Sequence, residues 1–427
     1  MAPLYNARTL QDIRVLAKQH GLDKIHVVQD LARADLESPA SKWNIRHLIA
    51  YRLLVRPESK FLPVFDALHR DDCPVCHDDG QDARPRRQEV DGGRVKSLLD
   101  GAPKDLCQQT EGALLRLPEG FFWAALASAA RREAVEPVRQ HPQRERITMQ
   151  RQGYLHSAVA IPGSSSPVLS SSSEFSNETG EVSEDEHEAR RGKPEEITVH
   201  LVISFLQVAL GLCLVQHPPG SAIKTEVRPR VGRLRSVVDI SRHAVAAEDD
   251  GGIYRMRRGA AGKGWEMDHP YLAGIEAKRA FNRLDFDGRM TSYIPVISNE
   301  NLAQYLGEAI IMYKANYDFL ANGLPSSVFL IAATNTFIRF LHFTFGRDYL
   351  EYLDAEGVDE QKALAQEPEK DTYISMYSTK WLNLQSRDAR QDALCHVMAL
   401  VACYAESDDG SSYQGSEMDV GDDEPND

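Results

Sequence analysis

A long apolar run near the middle of the chain most constrains how it can fold. Residues 197–215 (ITVHLVISFLQVALGLCLV) carry no charged side chain and are just long enough to cross a membrane as a helix. Four polar or small residues in this run share one helical face, because they recur at i, i+4, i+7 and i+11: His200, Ser204, Gln207 and Gly211. This stripe favours a helix of a soluble domain, buried on three sides and facing a site on the fourth, over a membrane span.

Composition divides the chain into four parts. Residues 136–195 are rich in Gln, Arg, Ser, Pro and Glu, which predicts a disordered low-complexity linker. The preceding residues 1–135 contain helical apolar patterns and are predicted to form a helical N-terminal region. Residues 196–404 combine helical patterns with β-branched strand patterns, which predicts an α/β domain, and residues 405–427 are predicted to be a disordered acidic tail.

The formal net charge of −14 is concentrated in two stretches. Residues 163–195 contain eight acidic and three basic side chains, and residues 405–427 contain nine acidic and no basic ones. The rest of the chain is therefore close to neutral, and its acidity does not exclude a nucleic-acid partner. Six cysteines in 427 residues, with no apolar signal-peptide segment at the start, predict an intracellular protein, in the nucleus or the cytoplasm.

The third predicted strand of the α/β domain carries a carboxylate and a lysine at i and i+2. Glu276 and Lys278 would point to the same face of that strand. With a second carboxylate, Glu276 could hold a hard cation such as Mg²⁺, and Lys278 could orient a water and stabilise charge on a phosphate. The second carboxylate is expected on the preceding strand, where Asp250 is the best candidate, Asp249 the spare, and Asp239 ranks lower because a turn follows it.

The helix that follows the third strand adds two further polar candidates. Gln304 and Glu308 are four residues apart, so they share a face beside the apolar stripe of this helix. An ordinary polar helix flank would look the same in the sequence. Likewise, Asp249 and Asp250 could form a simple Asp-Gly turn, and Glu276 with Lys278 a solvated surface ion pair. A second Glu-x-Lys triplet, Glu58-Ser59-Lys60, lies in a polar loop and illustrates how often the pattern arises by chance.

At these residues the chain resembles the PD-(D/E)XK nuclease superfamily, and particularly a group of fungal proteins with the phrases AEDDGGI, GWEMDHPYLAGIEAKRAF and NENLAQYLGEA. The resemblance covers residues 196–404. It implies a restriction-endonuclease-like core of helix, three strands, helix and strand. It also implies that Asp250 and Glu276 are metal ligands, that Lys278 is the catalytic lysine, and that Gln304 matches a glutamine of some branches.

Two features depart from this family pattern. Some members place a further Glu in the first helix, whereas residues 197–216 contain no acidic residue. Glu248-Asp249-Asp250 also stands where the family name has Pro-Asp. The implied function is metal-dependent hydrolysis of phosphodiester bonds. Because the superfamily includes inactive members, the alternative is an interaction or scaffold protein that retains the fold.

A separate group of potential metal ligands lies in the N-terminal region. Cys73 and Cys76 have the spacing of half a tetrahedral zinc site, and His77 or His69 could add a nitrogen ligand. No second cysteine pair follows, so incidental thiols are the alternative.

Basic residues concentrate before Glu276 and could hold a phosphate backbone. Arginine-rich edge strands that discourage aggregation have the same sequence pattern, so they are the alternative. Nine of them lie between residues 221 and 260: Lys224, Arg228, Arg230, Arg233, Arg235, Arg242, Arg255, Arg257 and Arg258.

Overall fold

The computed structural model describes residues 4–66, 69, 73, 75–76, 90–131, 195–213, 225–259, 264–278, 284–287, 292–315 and 326–405. Contacts divide the chain into two compact units. One comprises residues 1–131 and 193–427, and the other comprises residues 132–192, which lie outside the described residues. The predicted linker, apart from residue 195, and the predicted tail, apart from residue 405, also lie outside them.

The first unit contains both helices and strands. The helices are α1 (Leu10–Gln19), α2 (Arg33–Leu36), α3 (Ile45–Ala50), α4 (Gly92–Asp100), α5 (Glu111–Leu114), α6 (Gly120–Ala130), α7 (Glu195–Leu212), α8 (Asn299–Ala315), α9 (Tyr349–Asp354), α10 (Val358–Gln366) and α11 (Arg387–Ala405). The strands are β1 (Leu53–Val55), β2 (Thr225–Arg230), β3 (Arg235–Ile240), β4 (His243–Glu248), β5 (Gly251–Arg258), β6 (Trp265–Lys278), β7 (Leu284–Asp287), β8 (Ser292–Pro295), β9 (Ser327–Thr334), β10 (Phe337–Phe345), β11 (Ile374–Ser378) and β12 (Leu382–Asn383).

An eight-stranded mixed sheet is the centre of this unit. Its order is β1-β11-β10-β9-β6-β5-β2, with β12 paired to β10 off this path. The strands β2, β5 and β6 form an antiparallel meander, and β9 pairs parallel to β6. Helix α8 lies between β6 and β9 in the sequence, as the parallel pairing requires, because parallel strands need a crossover connection. The predicted α/β class is therefore confirmed.

Helices cover both faces of the sheet. Alternate residues of β9 belong to different cores: Ile331 and Ala333 pack with α6, α7 and α11, whereas Leu330 and Ala332 pack with α3, α8 and α9. Because helices cover both faces, residues 327–334 are buried without exception, and the strand is apolar from Val328 to Ala333.

The N-terminal helices and the α/β segment share this one sheet. Strand β1 pairs parallel with β11, and the hydroxyl of Tyr352 donates to the carbonyl oxygen of Ala50 (2.6 Å). Helix α6 packs against α7. The first 131 residues are therefore part of the same compact unit as the second half of the chain, and they complete its sheet and both of its cores.

The apolar run of the sequence forms helix α7 in one core. By length and composition, α7 is the one helix in the described part of the chain that could cross a membrane, but 61% of its residues are buried by the rest of the protein. Its polar stripe does not face a site as expected: His200, Gln207 and Gly211 are exposed, and Ser204 is buried. Helix α7 is therefore a core helix with one solvent-facing edge.

Candidate functional site

The start of β5 brings Asp250 beside the last residues of β6. The backbone N–H of Asp250 donates to the carbonyl oxygen of Ile275 (2.9 Å), and the N–H of Ala277 donates to Oδ2 of Asp250 (3.0 Å). Gly251 then enters β5 at φ +147°, where a Cβ atom would lie 2.7 Å from the carbonyl oxygen of Arg230. The Asp-Gly pair is thus required here because only glycine fits the backbone that places Asp250 next to β6.

Glu276 is the centre of a group of polar side chains on the face of β6 that points to α8. Its neighbours Ile275 and Ala277 point into the opposite core. The ammonium group of Lys278 donates to Oε1 of Glu276, and the amide of Gln304 donates to the same oxygen. The Gln304 amide also donates to Oε1 of Glu308 (2.9 Å). The expected convergence of Glu276 with Lys278, and of both helix residues with Glu276, is present in the structure.

The first turn of α7 supplies a residue that the sequence analysis missed. Glu195, which was assigned to the linker, is the first residue of this helix, and its side chain lies within electrostatic range of Asp250 and Lys278. Arg233 approaches both acids, at 3.9 Å from Glu195 and 3.2 Å from Asp250. The signal in the sequence was Pro194 followed by two acidic residues, a pattern typical of a helix start.

We define the carboxylate cluster as Glu195, Asp250, Glu276, Glu308, Lys278 and Gln304. Its chemistry is dominated by buried negative charge, since Asp250 is 6% exposed and Glu276 and Glu308 are 2% exposed. Burial is the main cause that raises the pKa of Glu276, and repulsion from Asp250 adds to it. Attraction by Lys278 lowers the pKa, and the net value is about 7. Burial and the adjacent Glu276 raise the pKa of Glu308 well above its ordinary value.

The other ionisable groups of the cluster respond to the same charge. Burial raises the pKa of Glu195, and Asp250 raises it further. Burial pulls the pKa of Lys278 down, but attraction by Glu276 and the neighbouring carboxylates outweighs this and leaves the pKa raised. The cluster therefore has more carboxylates than the nearby cations neutralise, and it favours either bound protons or a bound cation.

Two carboxylate oxygens in the cluster have no N–H or hydroxyl donor. Oε2 of Glu276 and Oε2 of Glu308 are buried, and neither accepts such a hydrogen bond in the described residues. A hydrogen bond between the two carboxyl groups raises the pKa of Glu308 and lowers that of Glu276, so these acids can share a proton. A buried carboxylate oxygen without a donor is costly, and a hard divalent cation is the ligand that such oxygens suit best. A proton or a cation could therefore neutralise the excess negative charge of these carboxylates.

Asp249 and Asp239 do not belong to the cluster. Asp249 accepts two hydrogen bonds from the guanidinium of Arg230 (2.9 and 2.6 Å) and two more from the backbone N–H groups of Leu234 and Gly251. Its role is thus to hold the bend before β5. Asp239 is exposed on the β3–β4 hairpin. The turn of this hairpin follows at Ser241 and Arg242, which both have positive φ.

The second Glu-x-Lys triplet has no such convergence. Glu58 accepts from the guanidinium of Arg339 (2.6 Å), whereas Lys60 pairs with Asp392 (3.4 Å). The two side chains therefore have separate partners, and the triplet is a natural control for the cluster.

Much of the predicted basic patch is engaged within the protein. Arg230 is buried against Asp249, and Arg255 is buried in a pair with Asp268 (2.7 Å). Arg228 pairs with Glu226, with its guanidinium 5.1 Å from the ring centroid of Trp265. Two members of the patch are therefore structural. Arg233, whose side chain is 50% exposed at the edge of the carboxylate cluster, is better placed to meet a phosphate.

The cysteine candidates meet one of the two expected histidines, His69, and a third cysteine that the sequence analysis did not predict. Cys73 and Cys76 lie together with His69 and Cys395, and this His/Cys/Cys/Cys group could hold a metal ion such as zinc. His77 lies outside the described residues. Cys395 is separated from Cys73 by 322 positions, so its membership could not be read from local spacing.

The fold and the carboxylate cluster together define a mixed α/β protein with a buried site of acids, one lysine and one glutamine. No protein-family model and no curated protein sequence matches the chain. Any assignment of function must therefore be argued from the geometry of the cluster.

Proposed function

We propose that this protein is a PD-(D/E)XK nuclease-like enzyme that hydrolyses phosphodiester bonds with Mg²⁺. The observation that carries the proposal is the convergence of Asp250, Glu276 and Lys278 where β5 begins and β6 ends, beside two buried carboxylate oxygens that have no N–H or hydroxyl donor. These groups come from neighbouring strands that meet beside helix α8.

The topology around the cluster supports the same assignment. Helix α7, the sheet strands β2, β5 and β6, helix α8 and then β9 follow the order helix, three strands, helix, strand, with two inserted hairpins, β3–β4 and β7–β8. The cluster lies where the second and third of these strands meet. Glu195 also supplies the acidic residue in the first helix that the apolar run itself lacks.

Each residue has a role that follows from its position. Asp250 and Glu276 would hold the cation, and Gln304 fixes the Glu276 carboxylate through its amide. A bound Mg²⁺ would polarise the phosphoryl oxygen and stabilise its developing charge. Lys278 lies next to Glu276 and would orient the attacking water and stabilise the pentavalent phosphorus. Arg233, half-exposed, would leave Asp250 and contact the phosphate.

The test uses the full chain, because residues 4–131 complete the sheet and the cores. Purified protein is incubated with double-stranded DNA, single-stranded DNA and RNA in Mg²⁺ or Mn²⁺. We expect metal-dependent cleavage of at least one of them. Lys278→Ala should lower the rate about 100-fold or more, because loss of a positioned charged group costs this much. Lys60→Ala, in the second Glu-x-Lys triplet, should leave the rate unchanged.

The scaffold alternative predicts a different pattern. A chain that cleaves none of the three substrates and whose melting temperature does not respond to Mg²⁺ or Mn²⁺ would overturn the nuclease proposal. A Glu195→Gln variant refines the result: if this acid helps to bind the cation, a higher Mg²⁺ concentration should restore most of its activity, whereas Lys278→Ala should not be rescued.

A further inference from the structure

We propose that His69, Cys73, Cys76 and Cys395 bind a structural zinc ion that ties the first three of these residues to helix α11. This zinc site shares no residue with the carboxylate cluster, and it is independent of the proposed nuclease activity. It joins two parts of the chain that are more than 300 positions apart.

The distances between the four ligand atoms fit tetrahedral coordination. All of them lie within 4.8 Å of one another. The Sγ atom of Cys395 is 3.4 Å from that of Cys73 and 3.3 Å from that of Cys76, and Nε2 of His69 is 3.3 Å from Sγ of Cys76. Zinc–sulfur bonds of about 2.3 Å place tetrahedral ligands about 3.8 Å apart, whereas a disulfide requires about 2.05 Å. The four ligand atoms are thus close enough together to share one ion, and the separations of Cys395 Sγ from the other two sulfur atoms are far longer than a disulfide bond.

The donor set selects the metal and the role. Three thiolates and one imidazole favour zinc over the hard cations Mg²⁺ and Ca²⁺, which prefer oxygen ligands. Four protein ligands fill the tetrahedron and leave no position for water or substrate, which is typical of structural zinc. The site would therefore contribute to folding and not to catalysis.

The surroundings hold the ligands in place. Cys73 and Cys395 belong to the core on the α7 face of the sheet, and the ring of His69 stacks on Phe61 with centroids 4.1 Å apart. The side-chain amide of Gln391, one turn before Cys395 on α11, donates toward Sγ of Cys76 (3.5 Å). Hydrogen-bond donors beside a ligating sulfur are expected at such a site, because they stabilise the thiolate.

The zinc ion would secure the helical layer behind the sheet. Helix α11 packs against α7, and α7 contributes Glu195 to the carboxylate cluster from its first turn. Loss of the ion would remove the link between His69, Cys73 and Cys76 and helix α11. We therefore expect a lower melting temperature on zinc removal, with any loss of activity following from unfolding.

The metal content of the full chain is the direct test. The protein is purified without a histidine tag, and its bound zinc is measured by inductively coupled plasma mass spectrometry. We expect about one zinc per chain. Replacing zinc by Co²⁺ should give the visible absorption of a tetrahedral site and the near-ultraviolet charge-transfer band of cobalt–thiolate bonds. A chain with well under one zinc and no such cobalt spectrum would overturn the proposal.

Variants assign the ligands. Cys395→Ser and His69→Ala should each lose zinc. His69 is only half-buried, so its replacement by alanine disturbs the core less than the replacement of the buried Cys395. Cys107→Ser is the matched control, because Cys107 is exposed and outside the group, and it should keep the full zinc content. Equal zinc loss in Cys107→Ser, or a disulfide between Cys395 and Cys73 or Cys76 in the purified chain, would refute the assignment.

Discussion

Replacing Glu276 by Gln tests whether buried negative charge is what makes the carboxylate cluster a cation site. Glu276 is 2% exposed, and burial raises its pKa from 4.5 to about 7. Because the folded chain then binds the proton more tightly than the unfolded chain, the free energy of unfolding falls as the pH rises from about 4.5 to about 7. At about 1.4 kcal/mol per pKa unit, the loss is about 3 kcal/mol and is complete above pH 7.

The variant removes this cost and keeps the shape of the side chain. Without added Mg²⁺ or Mn²⁺ at pH 8, we expect Glu276→Gln to be more stable than the wild type by about 1–3 kcal/mol. The pKa of about 7 already includes the attraction by Lys278, and the lower end of the range allows for the imperfect match between an amide and a protonated carboxyl group. At pH 4.5 the difference should largely vanish, because Glu276 is then protonated. Saturating Mn²⁺ should reverse the order, since a ligand at about 1,000 times its dissociation constant stabilises the wild type by about 4.1 kcal/mol, more than the cost of the buried charge.

Urea unfolding followed by tryptophan fluorescence, at both pH values and with and without Mn²⁺, measures these differences. Glu266→Gln is the control on the same strand, because Glu266 is exposed and should change stability by less than about 0.5 kcal/mol at either pH. If Glu276→Gln destabilises the metal-free chain equally at pH 4.5 and pH 8, the burial argument is wrong.

Two further predictions concern the bend that places Asp250. Arg230→Ala should lower the free energy of unfolding by about 3–5 kcal/mol, because it leaves Asp249 buried without its partner. Arg242→Ala, which removes an exposed ion pair, should lower it by about 0–1 kcal/mol. Denaturant unfolding measures both losses, and equal losses would contradict a structural role for Arg230. Gly251→Ala should destabilise the chain by more than about 1 kcal/mol and weaken Mn²⁺ binding, because alanine is strained at φ +147° and its Cβ meets the carbonyl of Arg230. Gly232→Ala is the control, because nothing lies within 4 Å of the Cβ atom that it adds. It should change neither the free energy of unfolding nor the Mn²⁺ affinity, which denaturant unfolding and titration calorimetry measure. Equal effects at the two glycines would count against the strain argument.

Local sequence patterns were sufficient for the centre of the carboxylate cluster. Two-residue periodicity places Glu276 and Lys278 on one face of β6, and four-residue spacing places Gln304 and Glu308 on one face of α8. Both pairs come together in the structure because each lies on a single regular element. The same reasoning could not separate Asp250 from Asp249, since adjacent residues at a bend take directions that only the backbone decides.

The assignments that failed depend on contacts between distant parts of the chain. The stripe on α7 was polar because it meets solvent, and the residue that approaches the cluster, Glu195, lies just before the apolar run. Arg230 and Arg255 looked like an anion-binding patch but are buried against acids from other strands or bends. Composition reports the charge of a side chain, whereas its partner is set by tertiary packing.

The sequence by itself determined the α/β class, the core helix and the two pairs Glu276–Lys278 and Gln304–Glu308, because each of these follows from patterns of residues close together in the chain. Only the tertiary structure decided that β1 pairs with β11, that Glu195 approaches Asp250, and that Cys395 joins Cys73 and Cys76. The physical reason is the same in each case. Pairing, charge proximity and metal coordination act through space, and chain folding makes neighbours of residues that are up to about 300 positions apart.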